Sequence, residues 1–153
     1  MASKPDFVLL TVSALTGVNQ STAEYFGLAG ALRLPVFVVI TKADCCDIER
    51  ITQVLADLKR LADGIDNVRQ LVSVRTEDEC VSAAFHMACG EVMPVFSVSS
   101  VTGQVGDIFN HSGYVQELFE LIRNILKSID TCTVVEKKIK IIIGYSGNFL
   151  EIL

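Results

Sequence analysis

The sequence lacks the short motifs with which many enzymes bind and transfer phosphate groups. None of its 10 glycines is followed by lysine, so the phosphate-binding loop Gly-x-x-x-x-Gly-Lys-[Ser/Thr] is absent. No aspartate is followed three residues later by glycine, which excludes the Asp-x-x-Gly motif that holds Mg²⁺ and contacts a γ-phosphate. Phosphoryl transfer depends on such groups for positioning and charge neutralisation. We therefore predict no catalytic residue in this chain.

Signals for metal binding, export and membrane insertion are missing as well. The 5 cysteines include no Cys-x-x-Cys pair and neither of the 2 histidines has metal-ligand spacing to a cysteine pair, so we predict no metal site. The longest apolar runs fall far short of the roughly 20 residues that a membrane helix needs. A polar N-terminus without the apolar region of a signal peptide favours a cytoplasmic protein with reduced thiols. The net charge of −5 disfavours nonspecific binding to nucleic acid or anionic lipid.

Apolar residues are abundant instead. They make up 50% of the 153 residues, and the mean hydropathy of +0.45 is high for a small soluble protein. Runs that are apolar at every position are typical of parallel strands buried on both faces. Strands are predicted at residues 7–12, 36–40, 68–74 and 94–98. Helical patterns alternate with them, which predicts an α/β fold: a parallel sheet flanked by helices in three layers, with right-handed crossovers.

Capping signals and apolar stripes locate the helices. Capping boxes begin at Ser21 and Thr76, and Asp47 can cap a third helix. A further helix is predicted at residues 114–127. The stripes expected to face the sheet are Tyr25, Leu28, Ala29 and Leu32 in the first helix and Ile48, Ile51, Leu55 and Leu58 in the helix after Asp47.

The strand at residues 36–40 runs directly into Thr41-Lys42-Ala43-Asp44. Guanine presents an N1–H and an exocyclic amine on one edge, and a single ionised carboxylate accepts hydrogen bonds from both. Adenine lacks both donors there and would leave the carboxylate unpaired, which gives strong discrimination. Asp44 is our candidate for this carboxylate. The apolar stem of Lys42 is expected to lie across the base, and the hydroxyl of Thr41 is expected to tie the loop to its neighbours.

A second loop, Ser99-Ser100-Val101-Thr102-Gly103, follows a later strand. Both loops leave parallel strands at their carboxyl ends, where ligands of such sheets bind. Ser99 is expected to brace Asp44, and the backbone N–H of Ser100 is expected to donate to guanine O6. A plain solvated turn is the competing interpretation, because short motifs arise by chance and serines are common in turns.

Longer stretches of the chain are similar to known proteins. They are residues 7–18, 24–32, 35–44 and 94–103. Through them, residues from about 6 to about 126 resemble the second half of the G domain of translation-factor GTPases, in particular the eukaryotic GTP-binding protein 1 and 2 type. The resemblance implies a P-loop-NTPase-like fold that is truncated, with its N-terminal strands and phosphate loop missing. The residues that it assigns to guanine binding are Thr41, Lys42, Asp44, Ser99, Ser100 (where alanine is common) and Val101.

The resemblance also implies ligands and a domain division. The family binds GTP or GDP and acts as GTPases in translation or RNA surveillance, with Mg²⁺ expected only in a full-length relative. For this chain it implies a GTP-binding protein that carries only the guanine-specificity half, with weak or no GTP hydrolysis. We assign residues 1–130 to a partial G domain. Residues 131–153 form an atypical tail, rich in Ile and Lys, that is either an extra strand or a non-native end.

Two other interpretations stay open. If the sheet order of the family holds, the strand at residues 7–12 has lost a neighbour and leaves an open apolar edge. The chain is then expected to self-associate, or to bind a protein partner there as an interaction module derived from a G domain. The other interpretation is an unrelated enzyme that uses Cys45 or Cys46 as a nucleophile, for which no histidine stands in a known paired geometry.

Overall fold

A computed structural model describes residues 7–64, 70–88, 90–99, 101, 141–145 and 148–152. The strands are β1 Phe7–Ser13, β2 Val36–Thr41, β3 Gln70–Ser73, β4 Val92–Ser97, β5 Ile141–Tyr145 and β6 Asn148–Ile152. The helices are α1 Gln20–Ala31, α2 Ile48–Asp63 and α3 Glu77–Ala88, and a short 3₁₀ helix, Ala43–Cys45, precedes α2. The strands form one sheet in the order β3-β4-β2-β1-β5-β6. The predicted α/β fold is therefore confirmed.

The central strands β1, β2 and β4 are buried on both faces of the sheet, which explains why most of their residues are apolar. Leu10 and Val38 lie in the cluster that α1 and α2 cover, together with buried residues of both helices. Phe37 and Phe96 lie on the opposite face, under α3, where their rings meet edge to face with centroids 6.5 Å apart. Successive side chains of a strand point to opposite faces, so β1, β2 and β4 each contribute to both clusters. The result is the three-layer arrangement expected from the sequence.

The edge of β1 is paired, so the prediction of an open apolar edge is wrong for this structure. Residues of β1 from Phe7 to Leu10 pair in parallel with β5, in the register Phe7↔Ile141 to Leu10↔Gly144. On its other side β1 pairs in parallel with β2. β6 pairs antiparallel with β5, so the sheet is mixed rather than purely parallel. Residues of the tail therefore occupy the position next to β1 that the sequence leaves vacant.

The helices lie where predicted, but α1 begins and faces the sheet differently. Its N-cap is Asn19, whose side chain accepts a hydrogen bond from the backbone N–H of Thr22 at 2.8 Å, so the capping box predicted at Ser21 is not used. Phe26 is buried against the sheet, while Leu28 is exposed. The two residues lie about 200° apart around a helix, so they cannot both face inward, and the larger side chain, that of Phe26, occupies the core.

In α2, too, the buried residues and the N-cap differ from the prediction, whereas the capping box of α3 is as predicted. On α2, Ile48 is exposed although it was expected to face the sheet. Val54, which was not in the predicted stripe, is fully buried. Asp47 is the N-cap of α2 but makes no side-chain capping hydrogen bond. In α3 the predicted capping box is confirmed, because Glu79 N–H donates to Thr76 Oγ1 and Thr76 N–H donates to the Glu79 carboxylate, both at 3.3 Å. The helix predicted at residues 114–127 lies outside the described residues.

Candidate functional site

The two loops singled out in the sequence meet because β2 and β4 are neighbours in the sheet. We call residues 42–47 the β2–α2 loop. The backbone N–H of Val98 donates to the carbonyl of Ile40 at 2.8 Å, and that of Ala43 donates to the carbonyl of Val98 at 3.2 Å. The first residues after β4 are thus bonded both to the end of β2 and to the start of the β2–α2 loop. The carboxyl ends of these two strands form one polar corner of the sheet.

The β2–α2 loop turns sharply at its first residue. Lys42 has the left-handed conformation, with φ 59° and ψ 36°, which is uncommon for residues other than glycine. Such conformations persist where surrounding contacts hold them, and they cluster at binding sites. The side chain of Lys42 is exposed, whereas the following Ala43 is buried and anchors the loop. The contact that holds Thr41 is made by its carbonyl oxygen, which accepts from the N–H of Ala14 at 2.9 Å.

Asp44 presents its carboxylate to solvent at this corner. A hydrogen bond from the side chain of Ser99 is the main reason that the pKa of Asp44 is lowered from its ordinary value of 3.8. Cys45 adds a weaker contribution, since its Sγ donates to Asp44 Oδ2 at 3.4 Å. Asp44 is therefore ionised at neutral pH, as an acceptor for two donors must be.

Ser99 links the second loop to this carboxylate. Its side chain is almost fully buried, and its Oγ accepts from the backbone N–H of Val101 at 3.3 Å while its hydroxyl donates to Asp44. A hydroxyl that accepts and donates at once is fixed in orientation, and the two hydrogen bonds polarise each other. Val101 itself is 83% exposed, so the contact it makes here is through its backbone. Ser100 lies outside the described residues.

Replacement of Ser99 by alanine is expected to raise the pKa of Asp44 toward its ordinary value, because the largest cause of the lowering is removed. The lowered pKa means that the ionised carboxylate favours folding at any pH above the ordinary pKa. This contribution is lost as the pH falls through the pKa of the folded chain. A pH titration of the Asp44 carboxyl ¹³C resonance measures the shift. Asp47 serves as an internal control, and an unchanged Asp44 titration in Ser99→Ala would contradict the assigned hydrogen bond.

Two residues that the sequence interpretation missed hold this corner from the side of β1. Arg50, in the first turn of α2, donates from Nε to the carbonyl of Ala14 and from Nη2 to the carbonyl of Leu15, both at 3.1 Å. Gly17 has φ +71°, and a Cβ at this position would lie 2.8 Å from Arg50 Nη2. A Gly in a strand-to-helix loop is a detectable signal for a special backbone conformation. No sequence pattern connects Arg50 to carbonyls 35 and 36 residues away.

A comparison with protein families decides what kind of domain carries this corner. The model of the elongation factor Tu GTP-binding domain matches residues 1–131. The chain belongs to this family. None of the match depends on the phosphate-binding motifs that the sequence lacks.

Individual members of the family agree with this assignment. GTP-binding protein 2 of Mus musculus is 39% identical over 107 residues, which make up 68% of this chain and 17% of that protein. GTP-binding protein 1 of Xenopus laevis is 36% identical over 104 residues, which make up 68% of this chain and 16% of that protein. The chain thus spans about one sixth of the length of these relatives.

A solved structure shares the fold of this GTP-binding domain. The crystal structure of translation elongation factor SelB from Methanococcus maripaludis, in its apo form, matches 79% of this chain and 20% of that chain with a TM-score of 0.51. The sequence identity is 21%, so this likeness shows the fold alone.

Cysteine chemistry is disfavoured in this GTP-binding domain. Reactive cysteines need a lowered pKa, because the thiolate is the nucleophile. The pKa of Cys45 is raised instead, chiefly by its hydrogen bond to Asp44 and also by desolvation and the negative charge of that carboxylate. The raised pKa disfavours Cys45 as an enzymatic nucleophile, while the same interpretation for Cys46 stays a prediction.

The described residues of this GTP-binding domain form neither a metal-ligand cluster nor a membrane-spanning helix. Within it, no group of three or more His, Cys, Asp or Glu side chains comes together in a way that could hold a metal ion. Mg²⁺ stays expected only in a full-length relative, and no step through a metal is derived for this chain. No helix among them has the length and apolar character needed to span a membrane.

Proposed function

We propose that this chain is the base-reading half of a G domain and that it binds the guanine moiety of GTP or GDP weakly, without hydrolysing GTP. The observation that carries the proposal is the position of Asp44: its ionised, solvent-facing carboxylate is held by Ser99 where the loops after β2 and β4 meet. Membership of a GTP-binding domain family supports the same ligand.

Each predicted residue has a role in this arrangement. The carboxylate of Asp44 accepts from guanine N1–H and from the exocyclic amine, because one ionised carboxylate matches both donors. Lys42 leaves the sheet in a left-handed turn that keeps its side chain exposed, so its apolar stem is free to cover the base. Val101 supplies backbone near the base edge, and the N–H of Ser100 is expected from the sequence to donate to guanine O6. Thr41 holds the start of the loop against β1 through its carbonyl.

Weak affinity follows from what the sequence lacks. Binding must outweigh the lost translational and rotational freedom of the ligand, and a base with one carboxylate partner and a few backbone contacts exceeds this cost only slightly. Without the phosphate loop the nucleotide's charged end has no dedicated partner in this sequence. We expect a dissociation constant on the order of 1 mM or weaker. Hydrolysis is not expected, because phosphoryl transfer depends on positioned cations and phosphate contacts.

Titration of ¹⁵N-labelled full-length chain with GMP and AMP tests this proposal. GMP is expected to shift the amide resonances of the β2–α2 loop and of Val101 in the millimolar range, while AMP leaves them unchanged. Equal responses to the two nucleotides, or none, would overturn the proposal. Phosphate release from GTP with Mg²⁺ is measured in parallel and is expected to match the rate in buffer alone.

The cytoplasmic location and the role in translation stay predictions from sequence and family. A protein partner at the β1 edge is less well supported, since β5 pairs with that edge among the described residues.

A further inference from the structure

Arg50 occupies a position that is unfavourable for the helix that carries it. It lies in the first turn of α2, three residues after the N-cap Asp47. The N-terminal end of a helix carries partial positive charge, so a cation there destabilises the helix, and acidic residues are preferred. The side chain instead leaves the helix and donates to two consecutive backbone carbonyls, those of Ala14 and Leu15, at 3.1 Å each. Its position is explained by these contacts and not by the helix.

The contacts of Arg50 close a ring around the β2–α2 loop. Ala14 is fully buried and lies directly after β1. Its N–H donates to the carbonyl of Thr41, the last residue of β2, and its own carbonyl accepts from Arg50 in the first turn of α2. Both ends of the β2–α2 loop are therefore bonded to the same residue. Asp44 lies on the segment that this ring encloses.

Gly17 makes room for the guanidinium. Its N–H donates to the carbonyl of Ser13 at 2.8 Å, which folds the segment after β1 back on itself. A Cβ at Gly17 would stand 2.8 Å from Arg50 Nη2, closer than side chains normally approach. The positive φ of Gly17 favours glycine, and the absence of a Cβ leaves space for the Arg50 guanidinium beside the two carbonyls.

From this ring we propose that Arg50 is the positioning residue of the β2–α2 loop: it fixes the separation of the two loop ends and thereby the direction in which Asp44 presents its carboxylate. That the direction of the Asp44 carboxylate matters for base recognition rests on the proposed function. A carboxylate that accepts two donors at once tolerates less displacement than one that accepts a single donor. Loss of Arg50 is therefore expected to weaken the recognition of the exocyclic amine of guanine more than the recognition of N1–H.

Two readouts test this role, and one of them needs no nucleotide. Hydrogen exchange at the amides of Ala43, Cys45 and Cys46 reports the opening of the loop, and Arg50→Ala is expected to accelerate it about fivefold, because the loop end loses its tie to Ala14. The ratio of GMP to IMP affinity reports the alignment of Asp44, since hypoxanthine keeps N1–H but lacks the amine. This ratio is expected to fall from about tenfold to about threefold.

Arg60→Ala is the matched control. Arg60 lies on the same helix, and its partner is Asp57 in an exposed pair at 2.9 Å. This variant is expected to change neither loop exchange nor the GMP to IMP ratio. Arg50→Lys keeps the charge but not the planar pair of donors, and it is the milder variant to use if Arg50→Ala does not fold. An intermediate effect is expected from it.

The results separate this inference from the proposed function. Unchanged exchange in the β2–α2 loop of both Arg50 variants, or the same change in Arg60→Ala, overturns the positioning role whether or not GMP binds. Faster exchange confined to this loop supports the role of Arg50 as the tie. If the unmodified chain does not respond to GMP, the proposed function fails, and loop exchange still decides whether Arg50 shapes the loop. Faster exchange with an unchanged GMP to IMP ratio overturns the claim that Arg50 directs Asp44.

Discussion

Replacement of Asp44 by asparagine is expected to change the preferred base from guanine to xanthine. The asparagine amide cannot accept a hydrogen bond from both guanine donors, because its nitrogen is itself a donor. Xanthine has a carbonyl where guanine has the exocyclic amine, so the asparagine oxygen can accept from N1–H while its NH₂ donates to that carbonyl. We expect the affinity for GMP to fall at least about tenfold and the affinity for XMP to rise above that of the unmodified chain. The titration used for GMP and AMP measures both changes.

A gain of XMP binding is more informative than a loss of GMP binding, since a weak interaction is easily lost for indirect reasons. Asp47→Asn makes the same change of charge at the other end of the β2–α2 loop, where the side chain makes no capping hydrogen bond. This control is expected to leave the order of GMP over XMP unchanged. The assignment of Asp44 is wrong if Asp44→Asn responds to the three nucleotides as Asp47→Asn does.

The sequence was sufficient to predict the strands β1 to β4 and the meeting of the two loops. Apolar character at every position from Val36 to Ile40 in β2 indicates a strand buried on both faces, and these five residues are buried. The proximity of Asp44 and Ser99 follows from topology, because the carboxyl ends of neighbouring parallel strands lie at one edge. The hydrogen bond between these side chains needed only that their strands be neighbours, which they are.

The sequence did not predict which of several similar residues is buried or caps a helix. Several rotations of α1 bury an apolar stripe, and the choice of Phe26 over Leu28 depends on which side chain the sheet accommodates. Asn19 and Ser21 are both good N-caps, and the chain path from β1 selected Asn19. Arg50 was missed because its partners are backbone carbonyls. Every residue has such a carbonyl, so residue types do not indicate the contact. Local patterns thus predict elements, while the choice among near-equal packings needs the assembled structure.

Removal of residues 141–153 is expected to increase the self-association of the chain. These residues contain β5 and β6, and β5 pairs with β1 over four positions, from Phe7↔Ile141 to Leu10↔Gly144. A chain that ends at residue 140 presents the backbone N–H and C=O groups on that side of β1, beside apolar side chains, as an open edge. Such an edge is a template for pairing with a second copy. Size-exclusion chromatography with light scattering at increasing protein concentration measures the change.

A chain that ends at residue 145 separates the role of β5 from that of β6. It keeps the strand that pairs with β1 and removes its antiparallel neighbour. If β5 is what protects β1, this chain should associate less than the chain that ends at residue 140. Equal association of both chains would mean that the protection of β1 depends on β6. A monomeric chain of 140 residues with a cooperative thermal transition would show that β1 needs no neighbouring strand on that side. The tail is atypical in composition, but Ile at consecutive positions suits a strand that lies between two others, as β5 does between β1 and β6.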